Sequence, residues 1–168
     1  MTHTSNRTVS VERDSRVAYY RVSGSVLAGT VVLMLLGAYT SAIGAGLACP
    51  DWPACYGTVV PFLHPEVMAA TPYTTLQVFA EWAHRGVASV VGLGIVGTAL
   101  LAHTRQKRPL VRRTAALAVG LLPVQVLLGG LTVTRDLQPA VVTGHLGVAL
   151  LILLSLATAT VADYTTTA

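Results

Sequence analysis

Four runs of this chain carry no formal charge: Val22–Ile43, Gly86–Thr104, Thr114–Val133 and Ala140–Ala162. A helix rising 1.5 Å per residue needs about 20 apolar residues to cross a hydrocarbon core of about 30 Å, and each run is of that order. Inside such a core every backbone N–H and C=O must find a partner within the protein, so only helices and closed barrels can span it. The runs are rich in Val, Leu, Ala and Gly without strand-like alternation, which makes them helices. The fold class is therefore all-α: an integral membrane four-helix bundle. Composition agrees, because 11% of the 168 residues are charged, against about a quarter in a soluble domain.

The charges that remain set the orientation. Arg7, Arg13, Arg16 and Arg21 precede the first run, and Arg105, Lys107, Arg108, Arg112 and Arg113 separate the second from the third. Basic clusters flanking apolar runs mark the cytoplasmic side, so the net charge of +4 needs no nucleic acid to explain it. Residues 44–73 contain no Lys or Arg and read as an outer loop. The expected layout is a mostly disordered cytoplasmic tail 1–21, spans at about 22–43, 74–102, 114–133 and 140–162, and a cytoplasmic tail 163–168. Both termini then lie inside, in the cell membrane. The first run is longer than the usual 7–15-residue apolar part of a signal peptide, and Gly46-Leu47-Ala48-Cys49 is a poor cleavage site, so it is retained as a span. Thr74 or Thr75 is the expected cap of the second span, and Pro139 suits the first turn of the fourth.

The strongest candidate for chemistry is Glu81-Trp82-Ala83-His84-Arg85. An ionisable group at the centre of a membrane helix costs about 2.5–3.5 kcal/mol on insertion scales, so such groups are seldom idle. Glu81 lies four residues before Arg85, the favourable order for an intrahelical ion pair. The second and fourth spans run in the same direction, and His84 and His145 fall at nearly one depth, in the outer leaflet. Two histidines at one level on facing helices are what axial ligation of a haem requires, as neutral nitrogen donors on opposite faces of a planar iron complex. Gly37, Gly129 and Gly130 fall near that depth and can leave clearance for a macrocycle. No Cys-x-x-Cys-His attachment site occurs, so any haem is held non-covalently. His64, in the loop, and His103, at the inner end, read as interfacial.

In the outer loop, Cys49 and Cys55 flank Pro50-Asp51-Trp52-Pro53-Ala54. The pair either staples the loop as a disulfide or exchanges electrons or thiols; an outward location permits both. Trp52 reads as an interfacial anchor.

Taken together, Cys49-Pro-Asp-Trp-Pro-Ala-Cys55, Glu81-x-x-His84-Arg85, a glycine-rich third span with Gln125, Gly129 and Gly130, and His145 in Thr-Gly-His-Leu-Gly resemble the haem A synthases. The resemblance covers roughly residues 24–160. It implies oxidation of the C8 methyl group of haem O to a formyl group at a membrane-embedded site near the outer face. It implies Glu81 as the essential acid, His84 and His145 as haem ligands, and a Cys49–Cys55 disulfide; Arg85 would meet a propionate. Haem b, haem O or both are the implied cofactors. Most bacterial members have eight spans in two halves, and this chain resembles the half that carries the acid. That departure leads us to expect a homo-oligomer, with the haem O-forming farnesyltransferase and the terminal oxidase as possible partners besides membrane lipid; the electron donor is unknown. Two rival readings remain from the residues alone. A b-type electron carrier accounts for both histidines and leaves Glu81 without a task. A thiol-oxidising protein that passes electrons to quinone accounts for the cysteines, although such proteins generally relay through two cysteine pairs.

Overall fold

The computed structural model describes residues 3–105 and 108–164, with side chains described from Tyr19 onward. Among them are five helices: α1 (His3–Ala42), α2 (Pro65–Ala70), α3 (Thr75–Arg105), α4 (Pro109–Thr134) and α5 (Pro139–Tyr164). Four are long and apolar enough to cross a membrane, over Tyr19–Ala42, Thr75–Arg105, Pro109–Thr134 and Pro139–Tyr164. This is a multi-pass membrane bundle, with each span within a few residues of the bounds read from sequence.

One expectation is corrected. Residues 3–21 were expected to lack order, yet their backbone continues α1 as helix. No Pro or Gly interrupts the chain before Gly24. Extending a helix that already exists avoids the nucleation cost that keeps an isolated polar segment unfolded. Arg7, Arg13, Arg16 and Lys107 lie outside the described side chains.

The starts of two spans follow local chemistry. Thr74 Oγ1 accepts from the backbone N–H of Gln77 at 3.3 Å, while Gln77 Oε1 accepts from the Thr74 N–H at 3.0 Å. This reciprocal capping box satisfies two donors that a helix start otherwise leaves open. Gln77 Nε2 also donates to the Ile43 carbonyl at 2.9 Å, tying the start of α3 to the end of α1. Pro139 opens α5 with its ring in the first turn, where its missing N–H costs nothing.

Around the bundle, α1 packs on α3 and α5, and α4 packs on the same two helices. Hence α3 faces α5 across the interior, and α1 faces α4. The end of the bundle opposite the 44–73 loop, here termed the inner end and the loop-bearing end the outer, is closed by Tyr19 among Ala99, Ala102, Val111, Ala115 and Ala159. Val91, Ile95, Ala118, Ile152 and Leu156 fill the middle. Large apolar side chains such as Leu35, Leu93, Leu127 and Leu154 point outward, as lipid-facing positions do. Toward the outer end the interior is given over to polar groups on opposite helices.

Candidate functional site

His84 and His145 stand on α3 and α5, the diagonal pair. His84 is 84 − 75 = 9 residues from the start of α3 and His145 is 145 − 139 = 6 from the start of α5. At 1.5 Å per residue both lie within about 14 Å of the outer-loop end of the bundle. The two histidines thus stand at similar heights on the two helices that face each other across the bundle.

Each ring rests against a glycine on a neighbouring helix. A Cβ on Gly37 of α1 would stand 2.8 Å from Cε1 of His84, and one on Gly129 of α4 would stand 3.2 Å from Cε1 of His145. In the structure these two glycines make room for the imidazoles. Nδ1 of His84 and Nδ1 of His145 are buried without a hydrogen bond. Gln125 adds an amide 3.4 Å from Nε2 of His145, and its own Oε1 is buried without a partner. An unpaired buried polar atom costs about 1–3 kcal/mol, so a cluster of three at one level calls for a ligand. Among the described residues no group of three or more His, Cys, Asp or Glu is placed to hold a bare metal ion. Two neutral imidazoles facing across a bundle suit a metal that brings its own equatorial donors, and the residues present therefore fit a haem.

Glu81 is 6% exposed and its Oε1 accepts from Nε of Arg85 at 3.0 Å, the ion pair that the spacing predicts. The rest of the guanidinium turns to the outer loop. Nη1 donates to the carbonyls of Asp51 and Ala54, and Nη2 to that of Cys49, each at 2.7 Å. Four of the five guanidinium N–H donors are then engaged, which leaves one N–H on Nη2.

The loop is built to present those carbonyls. Cys49 and Cys55 are joined in the structure with Cα atoms 4.6 Å apart. Asp51 turns its carboxylate inward to accept from the N–H groups of Tyr56 at 2.6 Å and Gly57 at 2.7 Å. Both residues have left-handed backbones, φ 56° and 72°, which Gly57 adopts without strain. Asp51 is therefore not the ion-pair partner of Arg85. Trp52 lies on α4, its indole 3.2 Å from where a Gly130 Cβ would be, beside the Gly129 that backs His145. Trp82 donates from Nε1 to the Val59 carbonyl at 2.7 Å and packs with Phe62 and Phe79. Gly46 meets the side chain of Leu137, in the turn between α4 and α5. The loop thus closes over the outer end of the bundle, in contact with α3, α4 and that turn.

His64 bonds Glu66 at 3.2 Å in the exposed loop, and His103 bonds the Ala99 carbonyl at 3.0 Å at the inner end. Neither approaches the diagonal pair, as their positions in the sequence suggested. Sequence reasoning missed the loop contacts of Arg85, the seat of Trp52 on Gly130 and the neighbourhood of Gln125. The Gly129-Gly130 pair was the available signal for two close approaches at consecutive positions.

Residues 20–166 match the family model described as cytochrome oxidase assembly protein, COX15-CtaA. The chain is 36% identical over 124 residues to the Heme A synthase of Shewanella oneidensis, covering 70% of this chain and 37% of that protein. It is 31% identical over 137 residues to the Heme A synthase of Alkalihalophilus pseudofirmus, covering 79% and 41%. It is also 33% identical over 122 residues to the Protoheme IX farnesyltransferase of Halobacterium salinarum, covering 73% of this chain and 24% of that protein. The chain spans less than half the length of these relatives. No solved structure matches.

Proposed function

This chain belongs to the haem A synthase family of cytochrome oxidase assembly proteins, and from that premise we propose that it oxidises the C8 methyl group of haem O to a formyl group. The observation that carries the reading is the diagonal pair His84 and His145, each with a buried Nδ1 lacking a protein partner and an ion-paired acid, Glu81, one helical turn before His84. In this reading the two imidazoles hold the iron, and bound haem supplies the oxidising chemistry. Their glycine backing fixes ring orientation, so the donors are aligned before ligand arrives.

Converting a methyl to a formyl group is a net gain of one oxygen, at the level of water, with loss of four protons and four electrons. The electrons would leave through bound haem to an external acceptor, and Glu81, the base nearest the ligating residues, would take up protons. Its carboxylate Oε1 is held by Arg85, which keeps the acid oriented while protons pass. Gln125 positions His145. The unused N–H of Arg85 is the group available to a propionate. The site lies near the outer face, with both chain termini cytoplasmic, and the Cys49–Cys55 disulfide forms in that oxidising compartment. Relatives named for haem A synthesis and for protoheme farnesylation share this segment, which supports a haem substrate and a nearby farnesyltransferase and terminal oxidase as partners. A second copy of this chain is a further partner in this reading.

The test is conversion in membranes that also make haem O. Wild type should yield haem A or its hydroxylated precursor. Glu81→Gln should keep the haem spectrum and lose conversion at least tenfold. Conversion undiminished in Glu81→Gln would remove the acid from the mechanism, whereas haem bound by wild type with no conversion would leave the electron-carrier reading.

A further inference from the structure

The seven-residue ring from Cys49 to Cys55 aims three backbone carbonyls at one guanidinium, and the fourth bond of that guanidinium goes to Glu81. We propose that Arg85 is a positioning residue that joins the disulfide-closed ring to Glu81, so that the closed state of the ring and the orientation of the acid are held as one coupled unit. The catalytic meaning of that coupling rests on the function proposed above; the coupling itself does not.

Three features support it. First, the partners are carbonyls rather than a carboxylate. An exposed arginine beside an aspartate would be expected to pair with it, but the Asp51 carboxylate is spent on the N–H groups of Tyr56 and Gly57. That internal cap folds the ring so that the carbonyls of Cys49, Asp51 and Ala54 converge on one point. Only a planar fork with several fixed donors can satisfy three converging acceptors and a carboxylate together, and a lysine ammonium cannot.

Second, the contact is sheltered. The side chains of Arg85 and Glu81 are 16% and 8% exposed, so these charge-assisted bonds are weakly screened and stronger than their surface counterparts. Third, the ring is seated on a second helix through Trp52 on Gly130. A ring held to α3 by Arg85 and to α4 by Trp52 bridges the helix bearing His84 and Glu81 to the helix backing His145. By reciprocity, whatever the closed ring does to hold Arg85, Arg85 and Glu81 do to hold the ring closed.

The experiment uses the purified full chain in mild detergent. The rate at which dithiothreitol opens Cys49–Cys55 is followed by alkylation with a polyethylene glycol maleimide and gel shift. Arg85→Gln should open at least tenfold faster than wild type. Glu81→Ala, whose side chain bonds Arg85 and no ring atom, should also open faster, by at least threefold. The double variant should open no faster than Arg85→Gln alone, because Glu81 acts on the ring only through Arg85. If Arg85→Gln does not fold, judged by circular dichroism, Arg85→Lys replaces it and should open at least threefold faster. Equal rates in wild type and the Arg85 variant, or Glu81→Ala and Arg85 effects that multiply independently, overturn the proposal. The assay needs no haem turnover, so coupling found in a chain that makes no haem A would uphold this inference and refute the proposed function.

Discussion

Gly37 and His84 share one space. The α-carbon of Gly37 on α1 is so close to the imidazole on α3 that a Cβ added there would fall 2.8 Å from Cε1, a separation that real Cβ atoms do not show. The orientation of a proposed iron ligand therefore depends on a residue with no chemistry of its own.

Gly37→Ala should displace the His84 ring and reduce haem retained through purification by at least fivefold. Gly129→Ala, where the separation from His145 is 3.2 Å, needs a shift of only a few tenths of an ångström and should cost less. Gly92→Ala meets nothing within 4 Å and should leave haem content unchanged while stabilising α3 by up to about 1 kcal/mol through helix propensity. Soret absorbance per protein checks the order. Gly92→Ala losing as much haem as Gly37→Ala would contradict the packing argument.

Replacing Trp52 by Ala removes the seat of the ring on α4 and leaves Arg85 in place. Conversion of haem O should fall several-fold while the two-histidine haem spectrum persists, because the indole is seated on Gly130 and both imidazoles are left in place. Loss of all bound haem in Trp52→Ala would assign this residue to the binding site itself.

Cys49→Ser with Cys55→Ser opens the ring. Closing a seven-residue loop is worth roughly 2 kcal/mol in the chain-entropy model, so the variant should unfold at lower temperature yet remain helical. Conversion should decline without being abolished. Complete loss of activity with haem content intact would favour cysteines that take part in electron or thiol transfer.

If a second copy supplies the spans that longer relatives carry, crosslinking in native membranes should trap a dimer or higher oligomer. Native mass spectrometry in mild detergent should find the same species in the active fraction. An active fraction that is wholly monomeric refutes that partner.

The architecture was legible because charge is so costly in a bilayer that its absence over 20 residues leaves few folds open. Thr74 and Pro139 were legible as helix starts for a local reason: capping and proline chemistry act within one turn. Residues 3–21 were misread because composition describes the tail as if it were detached, whereas their backbone continues an existing helix. The depth match of His84 and His145 could be counted along the helices. Arg85 could not be read the same way, since its main partners are backbone carbonyls of a folded ring and leave no side-chain signature. Asp51, the acid within that ring, is engaged with the N–H groups of Tyr56 and Gly57 instead. That an imidazole meets each of Gly37 and Gly129 was not legible, because spacing along a helix does not say which neighbour lies against it.

The most direct test of the central claim is a pyridine haemochrome spectrum, with chromatography of the extracted haem, on wild type, His84→Ala, His145→Ala and His103→Ala purified side by side. The account predicts bound haem in wild type and His103→Ala, and its loss or marked spectral change in both His84→Ala and His145→Ala. Haem bound equally in all four, or in none, would contradict a site built on the diagonal histidine pair.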